Sequence, residues 1–319
     1  MTDPSVSPVL CIGEILIDLI ADPGDTLATA ASFAIREGGA PMNAAVAMAR
    51  LGLPVRFCGA VGNDQFGQRL RALLEREGVD ASALRTIDGE STSIAYAWRD
   101  ERGDGHFQLV RLADRLLQPS DLAAANIDGA GAVLVGSVAL AASPSREAIT
   151  QAVDVATEGG VPVIFDVNVR PTLWSNRYSL QTACEPILRA SRVVKLSLDD
   201  ARHLWDVDTA ADAIDRVIRD GTWLVVVTDG ARGVTVWTSD AEDNRNFAVV
   251  PVDAIDPTGA GDAFTAALVT RLVRSGWAIP TGDDIRFAMA AGALATTRQG
   301  ALTALPTLAE LERFLRERS

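Results

Sequence analysis

The sequence predicts an α/β fold, a doubly wound sandwich built around a mainly parallel sheet. Three observations predict it. Short apolar runs of Val, Ile, Leu and Ala alternate along the chain with longer stretches of helical spacing. The runs are nearly continuous rather than apolar–polar alternating, as in strands covered on both faces. Strand followed by helix, repeated, implies right-handed βαβ units.

In chain order, strands fall at residues 9–12, 55–61, 132–135, 161–167, 193–196 and 223–228. Helices fall at 42–51, 65–77, 145–158, 210–220, 262–275, 283–297 and 307–318. Residues 15–37 and 92–111 break this rhythm. Each reads as extended pieces joined by turns, the second around the cluster from Asp100 to Gly105. With no helix between their strands, they are expected to pair as a small accessory sheet. Ligands of open α/β folds bind at the carboxyl ends of the strands, so such a sheet can cover that edge as a lid. No internal repeat or low-complexity linker divides the chain, and residues 1–319 are expected to form one domain.

The chain is 48% hydrophobic and 22% charged, the balance of an ordinary globular protein. Its 29 Lys and Arg against 42 Asp and Glu give a net charge of −13. That excludes long-range attraction to nucleic acid or an anionic membrane, while leaving room for a local phosphate-binding pocket. Three cysteines, Cys11, Cys58 and Cys184, are far apart and read as reduced thiols in a cytoplasmic protein. Two histidines, His106 and His203, are too few and too separated for a histidine-based metal site. The first ten residues carry acid and proline without a basic or long apolar region, unlike a signal peptide. No apolar run approaches the ~20 residues needed to span a bilayer.

Four segments carry the chemistry. In Asp256-Pro-Thr-Gly-Ala-Gly-Asp262, small residues precede a helix whose N-terminus favours an anion. Asp262 there can take a proton from a hydroxyl while the amides of Gly259, Ala260 and Gly261 hold a transferring phosphoryl group. The same residues also suit a plain turn with Asp262 as helix cap. In Glu37-Gly-Gly-Ala-Pro-Met-Asn43, Gly38 and Gly39 let backbone approach a ligand and Asn43 offers donor and acceptor, although a tight loop before a helix reads the same way. Asp18, just beyond the first strand, can accept from two sugar hydroxyls or simply be a solvated carboxylate. Thr228, Gly230 and Gly233 form a small loop after a buried strand, wide enough for a nucleotide yet common in itself. There is no GxxxxGK[ST], no GxGxxG after the first strand, and no HExxH or GxSxG.

Taken together, these segments resemble the ribokinase-like (PfkB) carbohydrate kinases in order and spacing. Gly38-Gly-Ala-Pro-Met-Asn43 with Ala47-Met-Ala-Arg-Leu-Gly52 is similar to the family's first signature, followed by Val61-Gly-Asn-Asp-Gln-Phe-Gly67. The run from Asp256 to Phe264 is similar to its second. The resemblance implies a ribokinase-like three-layer α/β/α sandwich with a small β-sheet lid, binding ATP, Mg2+ and a sugar. It implies Asp262 as catalytic base and Gly259, Ala260 and Gly261 as anion hole. Asp18, Gly38, Gly39, Asn43 and Asn168 would meet the sugar. Thr228, Gly230, Gly233, Ala293 and Lys195 would lie on the nucleotide side.

The run Phe165-Asp-Val-Asn168-Val-Arg170-Pro-Thr-Leu-Trp174 resembles the D-x-N-x-R-x-x-L-W pattern of fructokinases and 2-keto-3-deoxygluconate kinases. It would place Arg170 near phosphates or an acidic sugar group, where a guanidinium binds oxyanions bidentately. Where the family usually has Asn-x-x-Glu, this chain has Ser197-Leu-Asp-Asp200, and Asp200 would hold Mg2+ through a water. Asp256, Ala295 and Gly300 match the family's monovalent-cation (K+) site, with Ala304 where ribokinases tend to have a hydroxyl. The form of the first signature points to fructokinase activity. A 2-keto-3-deoxygluconate kinase or ribokinase-type activity is the alternative, and a catalytically inactive sugar- or nucleotide-sensing protein the alternative of another class. The resemblance also carries a homodimer formed through the lid.

Overall fold

The computed structural model describes residues 6–22, 24–99, 105–219 and 221–318. The acidic first residues 1–5, the turn predicted at 100–104 and the predicted helix end Asp220 lie outside them. Among the described residues, strands run in chain order as β1 (Val9–Ile12), β2 (Leu16–Ala21), β3 (Phe33–Gly38), β4 (Val55–Gly62), β5 (Asp80–Ile87), β6 (Ile94–Arg99), β7 (Gly105–Val110), β8 (Ala132–Gly136), β9 (Val163–Asp166), β10 (Val193–Ser197), β11 (Leu224–Thr228), β12 (Val234–Thr238) and β13 (Arg245–Phe247). The helices are α1 (Ala40–Arg50), α2 (Gln65–Arg76), α3 (Ser145–Glu158), α4 (Arg177–Ala190), α5 (Leu198–Trp205), α6 (Ala210–Val217), α7 (Ala260–Arg274), α8 (Gly282–Ala295), α9 (Ala301–Ala304) and α10 (Leu308–Arg316).

The large sheet has the order β13-β12-β11-β10-β9-β8-β1-β4-β5. Neighbours from β11 to β5 pair in parallel, and β12 and β13 add antiparallel strands at one edge. Side chains along a strand point alternately to opposite faces, and the core divides accordingly. Val9 and Cys11 pack with α1, α2, α7, α8 and α10, whereas Leu10 and Ile12 pack with α3, α4, α5 and α6. The result is three layers, helix on sheet on helix. Phe57 anchors one core and Phe165 the other, both fully buried. Truncating either to Ala costs about 3–5 kcal/mol by the usual cavity penalty.

A second sheet, β3-β2-β6-β7, is made by the two stretches that break the helical rhythm. Asp18 of β2 sits opposite Arg36 of β3 and Ala95 of β6. Trp98 stacks on His106 across β6 and β7, with ring centroids 5.4 Å apart.

The structure shifts several predicted boundaries. Strand 161–167 shortens to Val163–Asp166, since Val161 N–H closes the end of α3 onto Ala156 and Pro162 has no N–H to give. Helices α1 and α7 begin two residues earlier than predicted, at Ala40 and Ala260. Continuous apolar runs do not mark β5, β12 and β13, edge or near-edge strands in which half-buried or exposed positions interrupt or replace the buried ones. Also unpredicted are α4, which carries Pro186 inside it, and the short α5. Both announce themselves by capping boxes, Asn176 with Ser179 and Ser197 with Asp200.

Candidate active site

Of the predicted residues, Asp18, Gly38, Asn43, Asn168, Arg170, Lys195, Gly261 and Asp262 come together where the parallel strands end and α1 and α7 begin. Helix α7 starts behind Gly259, whose φ of +82° is left-handed and where a Cβ would come 2.9 Å from the Ala301 backbone. Gly259 leaves the helix without a side-chain cap, so a helix N-terminus with its partial positive charge faces the site uncapped. Ala260 N–H is turned back onto the Pro257 carbonyl at 3.2 Å.

Asp262 lies in the first turn, buried, and accepts a hydrogen bond from Asn43 Nδ2 at 2.8 Å. Burial pushes its carboxyl up to about 6, with Asp166 adding to the rise and Asn43, Lys195 and Arg170 restraining it. A carboxylate in that range is ionised at neutral pH yet basic enough to take a proton. The second polar atom of Asn43, Oδ1, is buried without a hydrogen-bond partner among the described residues.

Lys195 and Asp166 face each other across β10 and β9, with Nζ 3.0 and 3.3 Å from the two carboxylate oxygens. Thr265, three residues along α7 from Asp262, donates its hydroxyl to the same carboxylate at 2.6 Å. The pair is buried, and although burial opposes the charge on Lys195, Asp166 and Asp200 hold its pKa above the ordinary value. A Cβ on Gly261 would meet the Lys195 ammonium at 3.1 Å. A fixed positive charge thus stands against the helix N-terminus where the resemblance expects the phosphoryl group.

On the other side, Asp18 and Gly38 are in contact so close that a Cβ on Gly38 would lie 2.2 Å from Asp18 Oδ2. Gly39 has φ of +116° and would clash with the Glu14 carbonyl at 2.5 Å. Burial raises Asp18 to about 7 against the pull of Arg170, with Asp262 adding to the rise. Arg170 donates to Asn168 Oδ1 at 2.6 Å, and Asn168 sits in left-handed backbone at φ 42°. The guanidinium lies within electrostatic reach of Glu14, Asp18 and Asp262.

The residues that the resemblance puts on the nucleotide side occupy a more open stretch. Thr228 ends β11, Gly230 starts a short 3-10 turn with φ of +50°, and Gly233 closes it at φ +116°. A Cβ on Gly233 would run into the Phe247 carbonyl at 2.3 Å. Ala293 is half-buried on α8. Asp256 joins the loop before α7 to the loop before α9, accepting from Thr258 N–H at 3.1 Å, Thr258 hydroxyl at 2.7 Å and Gly300 N–H at 2.9 Å. Ala295, the last residue of α8, is fully buried beside it.

Asp200 is bonded more heavily than its sequence context foretells. One oxygen accepts from Ser197 N–H and hydroxyl, both at 2.7 Å, and the other from Val169 N–H at 2.6 Å. It caps α5 and fixes the backbone next to Arg170. With both oxygens engaged, Asp200 suits a bridging water to a metal rather than direct ligation. Among the described residues, no group of three or more His, Cys, Asp or Glu lies close enough to hold a metal alone.

Glu14, Asp166 and Thr265 belong to this constellation and were not singled out from the sequence. A signal existed for each. Glu14 is an acid inside the apolar run Cys11-Ile-Gly-Glu-Ile-Leu-Ile17, Asp166 ends a buried strand, and Thr265 is one turn along from Asp262.

Residues 7–308 match the family model described as pfkB family carbohydrate kinase. The chain belongs to that family. Fructokinase-1 of Zea mays is 34% identical over 314 residues, covering 95% of this chain and 96% of that protein. Fructokinase-1 of Oryza sativa subsp. japonica is 34% identical over 318 residues, covering 96% and 97%. Among solved structures, a fructokinase with bound ATP from Xylella fastidiosa superposes with a TM-score of 0.86 at 31% identity, over 98% of this chain and 99% of that one. A putative ribokinase II from E. coli in complex with ATP and Mg2+ gives 0.87 at 25% identity, over 98% and 100%. The fold is therefore the ribokinase-like three-layer sandwich the sequence predicted, and family membership makes this a carbohydrate kinase. No helix among the described residues is long and apolar enough to cross a membrane.

Proposed function

We propose that this protein is an ATP-dependent fructokinase with Asp262 as its catalytic base. The observation that carries the reading is the buried pairing of Asp262 with Asn43, at an uncapped helix N-terminus with Lys195 alongside. Asp262 removes the proton from a primary hydroxyl of the sugar as that oxygen attacks the γ-phosphoryl in line. The amides of Gly259 and Gly261 and the Lys195 ammonium receive the developing charge, joined by that of Ala260 once it leaves Pro257. Asn43 Oδ1 and Asp18 accept sugar hydroxyls, and Gly38 and Gly39 meet the sugar through their backbone, their missing side chains leaving room for the Asp18 carboxylate and the Glu14 backbone. Thr228, Gly230, Gly233 and Ala293 line the nucleotide. Asp200 would hold Mg2+ through a water, and the metal bound with ATP would supply positive charge against the phosphates. Asp256, Ala295 and Gly300 form the candidate K+ site. The sheet β3-β2-β6-β7 acts as the lid, excluding water during transfer.

A neutral sugar is favoured over an acidic one. Arg170 lies within electrostatic reach of Glu14, Asp18 and Asp262 and donates to Asn168, so its guanidinium is already engaged by groups of this chain before a substrate carboxylate arrives. This places fructose ahead of 2-keto-3-deoxygluconate. The enzyme is read as cytoplasmic and as a homodimer paired through the lid, where β3 and β7 are edge strands.

The test is a coupled ADP-release assay with Mg2+-ATP against fructose, 2-keto-3-deoxygluconate, ribose, tagatose and adenosine. Fructose is expected to give the highest kcat/KM. A higher value for 2-keto-3-deoxygluconate would overturn the charge argument. Asp200→Ala is expected to raise the Mg2+ concentration for half-maximal rate and to lower Tm by uncapping α5, and an unchanged Mg2+ titration would remove Asp200 from the metal's reach.

A further inference from the structure

Glu14 has no role in the account above, although it is the most deeply placed acid of the site, 3% exposed in the turn between β1 and β2. Its Oε1 accepts the N–H of Ala40, the first residue of α1, at 3.3 Å. Gly39 gives that helix no side-chain cap, so Glu14 supplies one from across the fold. Its Oε2 is buried with no hydrogen-bond partner among the described residues. An acceptor left bare in the interior is costly, which makes it an oxygen waiting for a donor.

Glu14 also lines a small cavity, together with Pro41, Ala44, Gly136, Ser137, Asp166 and Asn168. Its interior has room for about one water-sized group. The walls are those of the active site seen from beneath. Asp166 holds Lys195, Asn168 holds Arg170, and α1 carries Asn43 toward Asp262. Glu14, Asp166 and the occupied amide oxygen of Asn168 disfavour an anion, and the two cations that act on Glu14 are already engaged, Arg111 by Asp114 and Arg170 by Asn168. A hard cation needs about six or more oxygen ligands, more than one water-sized space can gather. What remains is a neutral group with an O–H to give.

We propose that Glu14 is a hydroxyl-binding residue at the floor of the sugar site, its Oε2 accepting an O–H that enters this cavity. The O–H belongs either to the bound monosaccharide or to a water that bridges to it. This rests on the sugar-kinase reading and adds a contact that the signature motifs do not include.

Two variants test it without depending on each other. Glu14→Gln keeps the side-chain volume and an acceptor for Ala40 but sets an N–H where Oε2 was. Gly136→Ala leaves Glu14 intact and puts a methyl into the cavity, where the built Cβ meets only ordinary contacts, Asp166 O at 3.4 Å and Pro41 Cγ at 3.9 Å. Fructose, its monodeoxy analogues and ATP are titrated with wild type and both variants. Each variant is expected to raise the fructose KM about tenfold, with kcat and the ATP KM within about threefold. If one deoxy analogue gives wild type and Glu14→Gln the same KM, the missing hydroxyl is the one Glu14 binds. If the tenfold gap persists with every analogue, the donor is the resident water. An unchanged fructose KM in both variants overturns the proposal, as does a loss confined to kcat, ATP KM or Tm, which marks Glu14 as a helix cap and nothing more. A wild type that turns over no sugar fails the sugar-kinase reading itself, and the Glu14 assignment falls with it.

Discussion

The proposed sugar side and the proposed nucleotide side of this site are built on opposite principles. On the sugar side, Glu14, Asn43 and Asp262 are packed into the protein with Asp18 half-buried beside them, and the loss of solvent pushes the three carboxyls up to between about 6 and about 7. Their positions are set by close contacts, such as Asp18 against Gly38 and Asn43 on Asp262. On the nucleotide side, Gly230 and Gly233 shape an exposed turn through backbone conformation, and the acid nearby, Asp256, is engaged by Thr258 and Gly300. One side is preorganised by side chains in a low-dielectric interior, the other by backbone that glycine makes accessible. The difference teaches where chemistry and where recognition by shape are each placed.

The largest effect that sharpens this contrast is expected at Asp262→Asn. Loss of the base should lower kcat by about a thousandfold with little change in either KM, measured by coupled ADP release. Next, paired glycine substitutions should separate the two sides. Gly38→Ala forces Asp18 away and is expected to raise the sugar KM about tenfold while the ATP KM stays within about threefold. Gly233→Ala, strained by its φ of +116° and blocked by Phe247 O, should do the reverse. If both variants raised both KM values equally, the two sides would not be independent.

The pH profile comes after these. Asp262 must be ionised to accept a proton, and Asp18 to accept hydroxyls. Their carboxyls, raised by burial to about 6 and about 7, protonate as pH falls, so kcat/KM is expected to decline below about pH 7 and steeply below about 6. Asp18→Asn should remove the upper part of that decline. A flat profile down to pH 5 would contradict the burial argument. The smallest effect is expected at Gly230→Ala. No atom lies within 4 Å of the added methyl, so only the φ of +50° resists it, costing about 1 kcal/mol of stability, with kcat and the sugar KM unchanged and the ATP KM raised by less than about threefold.

The contrast also explains what could be read in advance. Strands buried on both faces, such as β1, β8 and β10, were visible as continuous apolar runs, whereas the half-exposed β12 and β13 carried no such signal. The glycine-rich loops around Gly38 and Gly259 were legible because few residues other than glycine fit those backbones. Buried acids were harder. Asp166 and Glu14 matter through partners far along the chain, Thr265 at a separation of 99 residues and Ala40 at 26, and no local pattern encodes such a pairing. Ser197 to Asp200 was read as a metal motif in altered form, while its spacing equally spells a capping box, and the structure shows the box made.

The central claim is that Asp262 is the base, needed for turnover and not for holding either ligand. Calorimetric titration of Asp262→Asn with fructose and with Mg2+-ATP, beside its turnover assay, tests it most directly. The account predicts both ligands bound within about threefold of the wild-type affinity and turnover reduced about a thousandfold. Turnover within tenfold of wild type, or loss of fructose binding in that variant, would contradict it.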